Sequence, residues 1–233
     1  MEPAVIPVAI SARHVHLTGE SVERLFGSGQ SLHVHTPLSQ PGQFAAQETV
    51  TLVGPRGRLA HVRVVGPPRR EDQAEISRSD AYTLGLDAPI RESGQLADTP
   101  GLTIEGPVGQ VTLTHGAICA LRHIHMTPAD ADVLGLKDQD RVEVAVESPD
   151  RRLIFGDVVV RVASDFRLEL HLDTDEGNAA DLQPGADGML LAPIAARARV
   201  LKREWRREHR SSVSYNYATG LADELERPQH VRR

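Results

Sequence analysis

A six-residue pattern occurs twice in this chain: Arg13-His14-Val15-His16-Leu17-Thr18 returns as Arg122-His123-Ile124-His125-Met126-Thr127, 109 residues later. In a β-strand alternate side chains share a face, so each His-x-His aims two imidazoles the same way while Val15 or Ile124 packs to the other side. Two such pairs in matching contexts imply a duplicated architecture and two metal ions. Each motif follows an apolar run, Val5–Ile10 before the first and Thr112–Leu121 before the second, and both runs read as strands. A helix is predicted to start after each motif. Thr18 caps Gly19–Phe26, and Thr127 is followed by Pro128 at the first helical position and by an early acid, Asp130.

Beyond these helices the pattern is β. Val50–Val53, Leu59–Val65, Arg141–Val146 and Leu153–Val162 alternate or run apolar between Gly, Pro and Asp punctuation. Aromatic residues make up only 3% of the chain, so the core rests on Val, Leu, Ile and Ala. The expected fold is mainly β with short helices: two similar small β-barrels from an internal duplication, with the metal site between them. Residues 13–120 form the first half, 121–193 the body of the second, and 85–110, rich in Gly, Pro and Asp, link the two. Each half ends in a comparable piece, Ala74-Glu75-Ile76-Ser77-Arg78-Ser79-Asp80 and Leu170-His171-Leu172-Asp173-Thr174-Asp175-Glu176, which puts Glu75 and His171 at matching places. They are 96 residues apart against 109 for the motifs, so the first half carries a net insertion of 13.

The formal charge of −6 hides an asymmetry: residues 194–233 hold ten Lys/Arg against five Asp/Glu, which leaves about −11 on residues 1–193. An acidic body argues against nucleic acid as a partner, and 194–233 reads as an appended basic arm. Residues Ala195–Arg210 read either as a solvated tail or as a helix with Val200, Leu201 and Trp205 along one side that would dock on a partner. The single cysteine, Cys119, fits a reducing compartment. No stretch has the length of a membrane span, and Met1-Glu2-Pro3 lacks a secretion signal, so the expected location is the cytoplasm.

Each half offers two histidines on one strand face and one residue from a later strand: His14, His16 and Glu75 in the first, His123, His125 and His171 in the second. Three protein ligands and an open position are the pattern of a catalytic zinc-type site, and N and O ligands also admit Co, Fe or Mn. Asp173 and Asp175, just behind His171, are placed to orient imidazoles. His33-Val34-His35 has the same spacing but no repeat partner and reads as surface or structural. Arg69 and Arg70 lead towards Glu75, where a guanidinium can hold an anion beside the metals. A phosphate-cradling glycine loop, a Gly-x-Ser-x-Gly elbow and a dinucleotide fingerprint are all missing from the sequence.

Taken together, Ser11 to Thr18, Pro37-Leu38-Ser39-Gln40-Pro41-Gly42-Gln43-Phe44-Ala45-Ala46, Gly66-Pro67 with Arg69, Arg122 to Pro128 and His171 to Glu176 resemble the PduL-type phosphotransacylases, also called phosphate propanoyltransferases. The resemblance covers about residues 5–193. It implies two β-barrels flanking a dinuclear, usually zinc, centre that interconverts a short-chain acyl-CoA plus phosphate with acyl phosphate plus CoA. It implies His14, His16 and Glu75 on one metal, His123, His125 and His171 on the other, and Arg69 on phosphate. It further implies that the strand before the first motif, residues 5–12, belongs with 121–193, so that the halves interleave. Ser11, Gln40, Gln43 and Ser93 lie in or near matched segments and are candidates to touch substrate; Tyr82 is a candidate to stack on adenine.

Many relatives act inside bacterial microcompartments and carry an amphipathic N-terminal extension. This chain begins a few residues before its first strand, which argues against luminal targeting by that route, while the arm offers another way to reach a microcompartment partner. A homodimer is the expected assembly. Gly177 stands where the resemblance calls for alanine. Two other functions suit the same residues: a dinuclear metallohydrolase using activated water, and a non-catalytic metal-stabilised scaffold protein of a microcompartment.

Overall fold

The chain divides into two units, residues 1–192 and 193–233. The computed structural model describes residues 4–191 together with two short strands at 215–216 and 221–222. Ahead of the second His-x-His lie β1 (Val5–Ser11), β2 (His14–His16), α1 (Gly19–Phe26), β3 (Val34–Pro37), β4 (Phe44–Val53), β5 (Arg58–Gly66), β6 (Gln73–Glu75), α2 (Arg78–Leu84), β7 (Ile90–Arg91), β8 (Thr103–Glu105), β9 (Gln110–Thr112) and β10 (Ala117–Ala120). The motif itself opens β11 (His123–Met126), followed by α3 (Pro128–Leu134), β12 (Arg141–Glu147), β13 (Arg152–Val162), β14 (Glu169–Asp173), α4 (Thr174–Ala179) and β15 (Asp187–Leu190). In the second unit β16 (Tyr215–Asn216) pairs antiparallel with β17 (Leu221–Ala222). The helix expected at 195–210 lies outside the described residues. Among the described residues, no helix is long and apolar enough to cross a membrane.

The fold is mainly β, as the alternation in the sequence requires, and it is built from two barrel-like parts. One is a closed six-stranded barrel in the order β1-β14-β11-β13-β12-β15. The other is an open nine-stranded sheet, β7-β10-β6-β2-β5-β4-β8-β9 with β3 on β4. Within them β6-β2-β5-β4 repeats β14-β11-β13-β12. The registers repeat too: His14 lies opposite Glu75, and His123 lies opposite His171. Val15 and Ile124, between the paired histidines, are both fully buried, each in its own apolar core.

The strand that leads into each motif crosses to the other part. β1 runs parallel to β14 and antiparallel to β15, which closes the six-stranded barrel, while β10 runs parallel to β6 in the open sheet. Both crossings pass through the arginine that precedes a His-x-His. Arg13 reaches Asp80 at 2.9 Å and Arg122 reaches Glu176 at 2.8 Å. Asp80 and Glu176 occupy the same position in two capping boxes, closed by Ser77 at the start of α2 and by Asp173 at the start of α4. Thr18 and Thr127 cap α1 and α3. Each such cap contributes about 1 kcal/mol and fixes where the chain turns out of the strand that carries a candidate ligand.

Two expectations need correction. The run Thr112–Leu121 is not one strand: β9 ends at Thr112 and β10 begins at Ala117, with Gly116 at φ 120° between them, a conformation that L side chains disfavour. Residues 85–110 are more than a link, because they supply β7 and β8 to the open sheet and place Ser93 beside Glu75.

Candidate metal centre

His14, His16 and Glu75 come together because β2 lies between β5 and β6, which brings Glu75 directly across from His14. Among the described residues these three offer ligand atoms that all lie within 4.8 Å of one another. The hydrogen bonds set the tautomers. His14 Nδ1 donates to the Ala12 carbonyl at 2.8 Å and His16 Nδ1 donates to the Val65 carbonyl at 3.2 Å, so both rings carry a proton on Nδ1 and a lone pair on Nε2 when neutral. Those two Nε2 atoms face each other at 3.2 Å, with Glu75 oxygens 3.4 Å from His16 Nε2 and 3.7 Å from His14 Nε2. Lone pairs and a carboxylate converging on one point repel unless a cation lies between them. Burial lowers the His16 pKa to about 4, so this ring is neutral at pH 7 and available as a ligand. Burial alone would raise the Glu75 carboxyl, yet His14, His16 and Ser93 hold it well below the usual carboxylate range.

The second triad repeats the plan on β11 and β14. His123 Nδ1 donates to the Leu121 carbonyl at 2.8 Å, two residues back, as His14 does to Ala12. The rings of His123, His125 and His171 are mutual neighbours, with centroids 4.6, 4.8 and 5.1 Å apart. Burial lowers His123 to about 4 and His125 to about 2, with the neighbouring histidines pressing the same way. His125 is 6% exposed and both of its ring nitrogens are buried without a hydrogen-bond partner. Leaving such a group unpaired costs about 1–3 kcal/mol, and a bound cation would satisfy the lone-pair nitrogen. The donor set of His14, His16 and Glu75 therefore fits a divalent metal, while His123, His125 and His171 are three neighbouring imidazoles of the kind that can ligate one.

Both triads line one cleft of about 510 Å³, and Arg69, Ser93, Ser11, Gln40 and Gln43 line it as well. Ser93 Oγ donates to Glu75 Oε1 at 2.8 Å and accepts from Arg69 Nη1 at 3.0 Å, so the guanidinium is tied to the first triad through one hydroxyl. Burial pulls the Arg69 pKa below its ordinary value, partly offset by the charge of Glu75; an arginine remains a cation there. Gln73 Nε2 also donates to Glu75, at 2.5 Å. Gln40 is 3% exposed and its amide bonds across to Arg167 and Glu169. Tyr82 stands apart from the cleft on α2, 44% exposed with the Arg56 guanidinium 4.6 Å from its ring centre.

Asp173 and Asp175 do not orient imidazoles: Asp173 caps α4, and Asp175 accepts from the Ser79 backbone N–H at 2.8 Å. Cys119 is buried in the first core, and burial raises its thiol to about 11. Arg161 and Phe166, which no sequence pattern singled out, also line the cleft. Arg161 lies opposite His125 in the β11–β13 register, and Phe166 stacks on His125 with centroids 4.1 Å apart. Glu169 contacts His171 at 2.9 Å, and the two-residue spacing from His171 on one strand was the available signal for it.

The phosphate propanoyltransferase family matches residues 7–183 of the chain. The chain is 56% identical over 184 residues to a phosphate propanoyltransferase of Thermotoga maritima, covering 79% of this chain and 87% of that protein. It is 50% identical over 185 residues to one of Shewanella putrefaciens, with 79% and 87% covered, and 50% identical over 194 residues to one of Salmonella typhimurium, with 83% and 92% covered. Matched over most of its length and at half or more of the aligned positions, the chain belongs to the phosphate propanoyltransferase family, acyltransferases of the phosphotransacylase type.

Proposed function

We propose that the protein is a metal-dependent phosphotransacylase that interconverts propanoyl- or acetyl-CoA plus phosphate with the acyl phosphate plus CoA. The observation that carries this reading is the convergence of the His14 and His16 lone pairs on Glu75 in the cleft that also holds Arg69 and the three histidines of the other half. His14, His16 and Glu75 would hold one divalent ion and His123, His125 and His171 the other, with zinc the ion that best suits imidazole, carboxylate and a departing thiolate. When bound, the ions supply Lewis acidity at the thioester carbonyl and positive charge for the leaving thiolate and the phosphate. The folding halves are taken as 13–120 and 5–12 with 121–193.

The chain's own residues divide the remaining work. Arg69 presents a planar, permanently charged fork that can bind phosphate oxygens bidentately, and Ser93 fixes its aim relative to Glu75. With phosphate so placed, one of its oxygens bonds to the carbonyl carbon as the C–S bond breaks and CoA leaves as thiolate. Arg161 adds a further cation to the cleft lining, and Phe166 covers His125 from one side. An acidic protein body would otherwise repel both anionic substrates.

The test is to mix purified protein with propanoyl-CoA or acetyl-CoA, follow free thiol with and without phosphate, and measure bound metal in the same sample. Thiol release that requires phosphate, from protein holding two metal ions per chain, is the expected result. Phosphate-independent release would mean a metallohydrolase, and metal without release would mean a scaffold.

A further inference from the structure

His171 is held differently from its fellow candidates. His14, His16 and His123 each donate Nδ1–H to a backbone carbonyl, which leaves the lone pair on Nε2. His171 instead has its Nε2 2.9 Å from Glu169 Oε2, and its Nδ1 faces Ser11 Oγ at 3.5 Å. Glu169 is 8% exposed, and residues two apart on β14 share a face, so the carboxylate has little freedom to leave the ring.

The same Oε2 accepts from Ser39 Oγ at 2.5 Å and from Gln40 Nε2 at 3.2 Å. Ser39 and Gln40 sit in the turn between β3 and β4, in the open sheet, whereas Glu169 begins β14 of the closed barrel. Two further bonds fasten that turn: Gln40 Nε2 donates to the Arg167 carbonyl at 3.0 Å, and the Arg167 N–H donates to Gln40 Oε1 at 3.1 Å.

We infer that Glu169 is the positioning residue of the second triad: it keeps the His171 proton on Nε2 so that Nδ1 is the ligating atom, and the Ser39-Gln40 turn of the other half holds Glu169 in place. A carboxylate behind a ligating imidazole fixes its tautomer and raises its basicity, and removing such a partner costs about 10–100-fold in metal affinity. The inference rests on the two-metal reading of the cleft. It also gives Gln40 a role as a brace for a ligand, made through the opposite part of the fold.

The test uses the full chain loaded with zinc and titrated with a competing chelator. Wild type should release two ions per chain in the tight range. Glu169→Ala should release one of them at about 10–100-fold lower chelator while the other stays tight, Ser39→Ala should weaken the same ion by less, and Glu169→Asp should recover most of the loss. Urea unfolding of the metal-free variants at pH 7.5 checks that they fold. Glu169→Ala holding both ions as wild type does, or losing both equally, would overturn this inference alone. A wild type that binds no metal would overturn it together with the two-metal reading.

Discussion

The metal-free protein should lose stability steeply between pH 7.5 and 5; His16 and His123 set a lower bound on the loss, to which His125, lowered to about 2, adds in the same direction. His16 and His123 are each lowered by burial from 6.5 to about 4. Above pH 6.5 both are neutral folded or unfolded, so they contribute no pH dependence. As pH falls through 6.5 the unfolded chain takes up protons that the folded chain refuses, and stability drops until the folded groups titrate near 4. At pH 5 the solution lies 1.5 units below the unfolded pKa of each histidine and still above the folded one, a cost of about 2 kcal/mol each and about 4 kcal/mol together. That is a large part of a typical 5–15 kcal/mol total. Urea unfolding of chelator-treated protein reads it as a midpoint lower by at least about 2 M, taking a slope of about 2 kcal/mol/M. The variant His16→Asn should show a drop smaller by about 2 kcal/mol. A midpoint that does not move between pH 7.5 and 5, or that moves equally in wild type and His16→Asn, would refute the reasoning.

Other perturbations have separate signatures. Arg69→Ala should raise the phosphate concentration needed for half-maximal thiol release by at least about tenfold, the loss expected of a charged hydrogen bond, with metal content unchanged in the same samples. Arg13→Ala leaves Asp80, whose side chain is 5% exposed, without its 2.9 Å partner and should cost about 1–3 kcal/mol in urea unfolding; Arg122→Ala should behave alike at Glu176. Gly177→Ala places a Cβ 2.8 Å from Ile10 Cδ1, the mobile end of a side chain, and should cost no more than about 1–2 kcal/mol in unfolding with activity kept. Deleting residues 195–233 should leave phosphate-dependent thiol release intact, read in the same assay.

The parts of the fold that the sequence announces are those set by local rules. The His-x-His faces, the threonine caps, and the matching places of Glu75 and His171 all follow from period-2 alternation or a capping pattern, and the register confirms that Glu75 and His171 each lie opposite the first histidine of their motif. What stayed hidden depends on which strand lies beside which. Arg161 sits inside an apolar run and gains meaning only from its place opposite His125. Glu169 needs a turn some 130 residues earlier in the chain to explain its partners. Asp173 and Asp175 were drawn towards the imidazoles by proximity in sequence, but an acid two residues after a strand ligand is better used at the start of the next helix. The break before β10 was masked because its flanking residues are apolar enough to pass for one strand.

The exchange of β1 and β10 gives the molecule the connectivity of a weave. Each half borrows the rung that precedes its neighbour's His-x-His strand, so pulling the two apart means breaking the β1–β14 or the β10–β6 pairing. The cleft that both parts line therefore has walls that cannot drift apart while these strands stay paired.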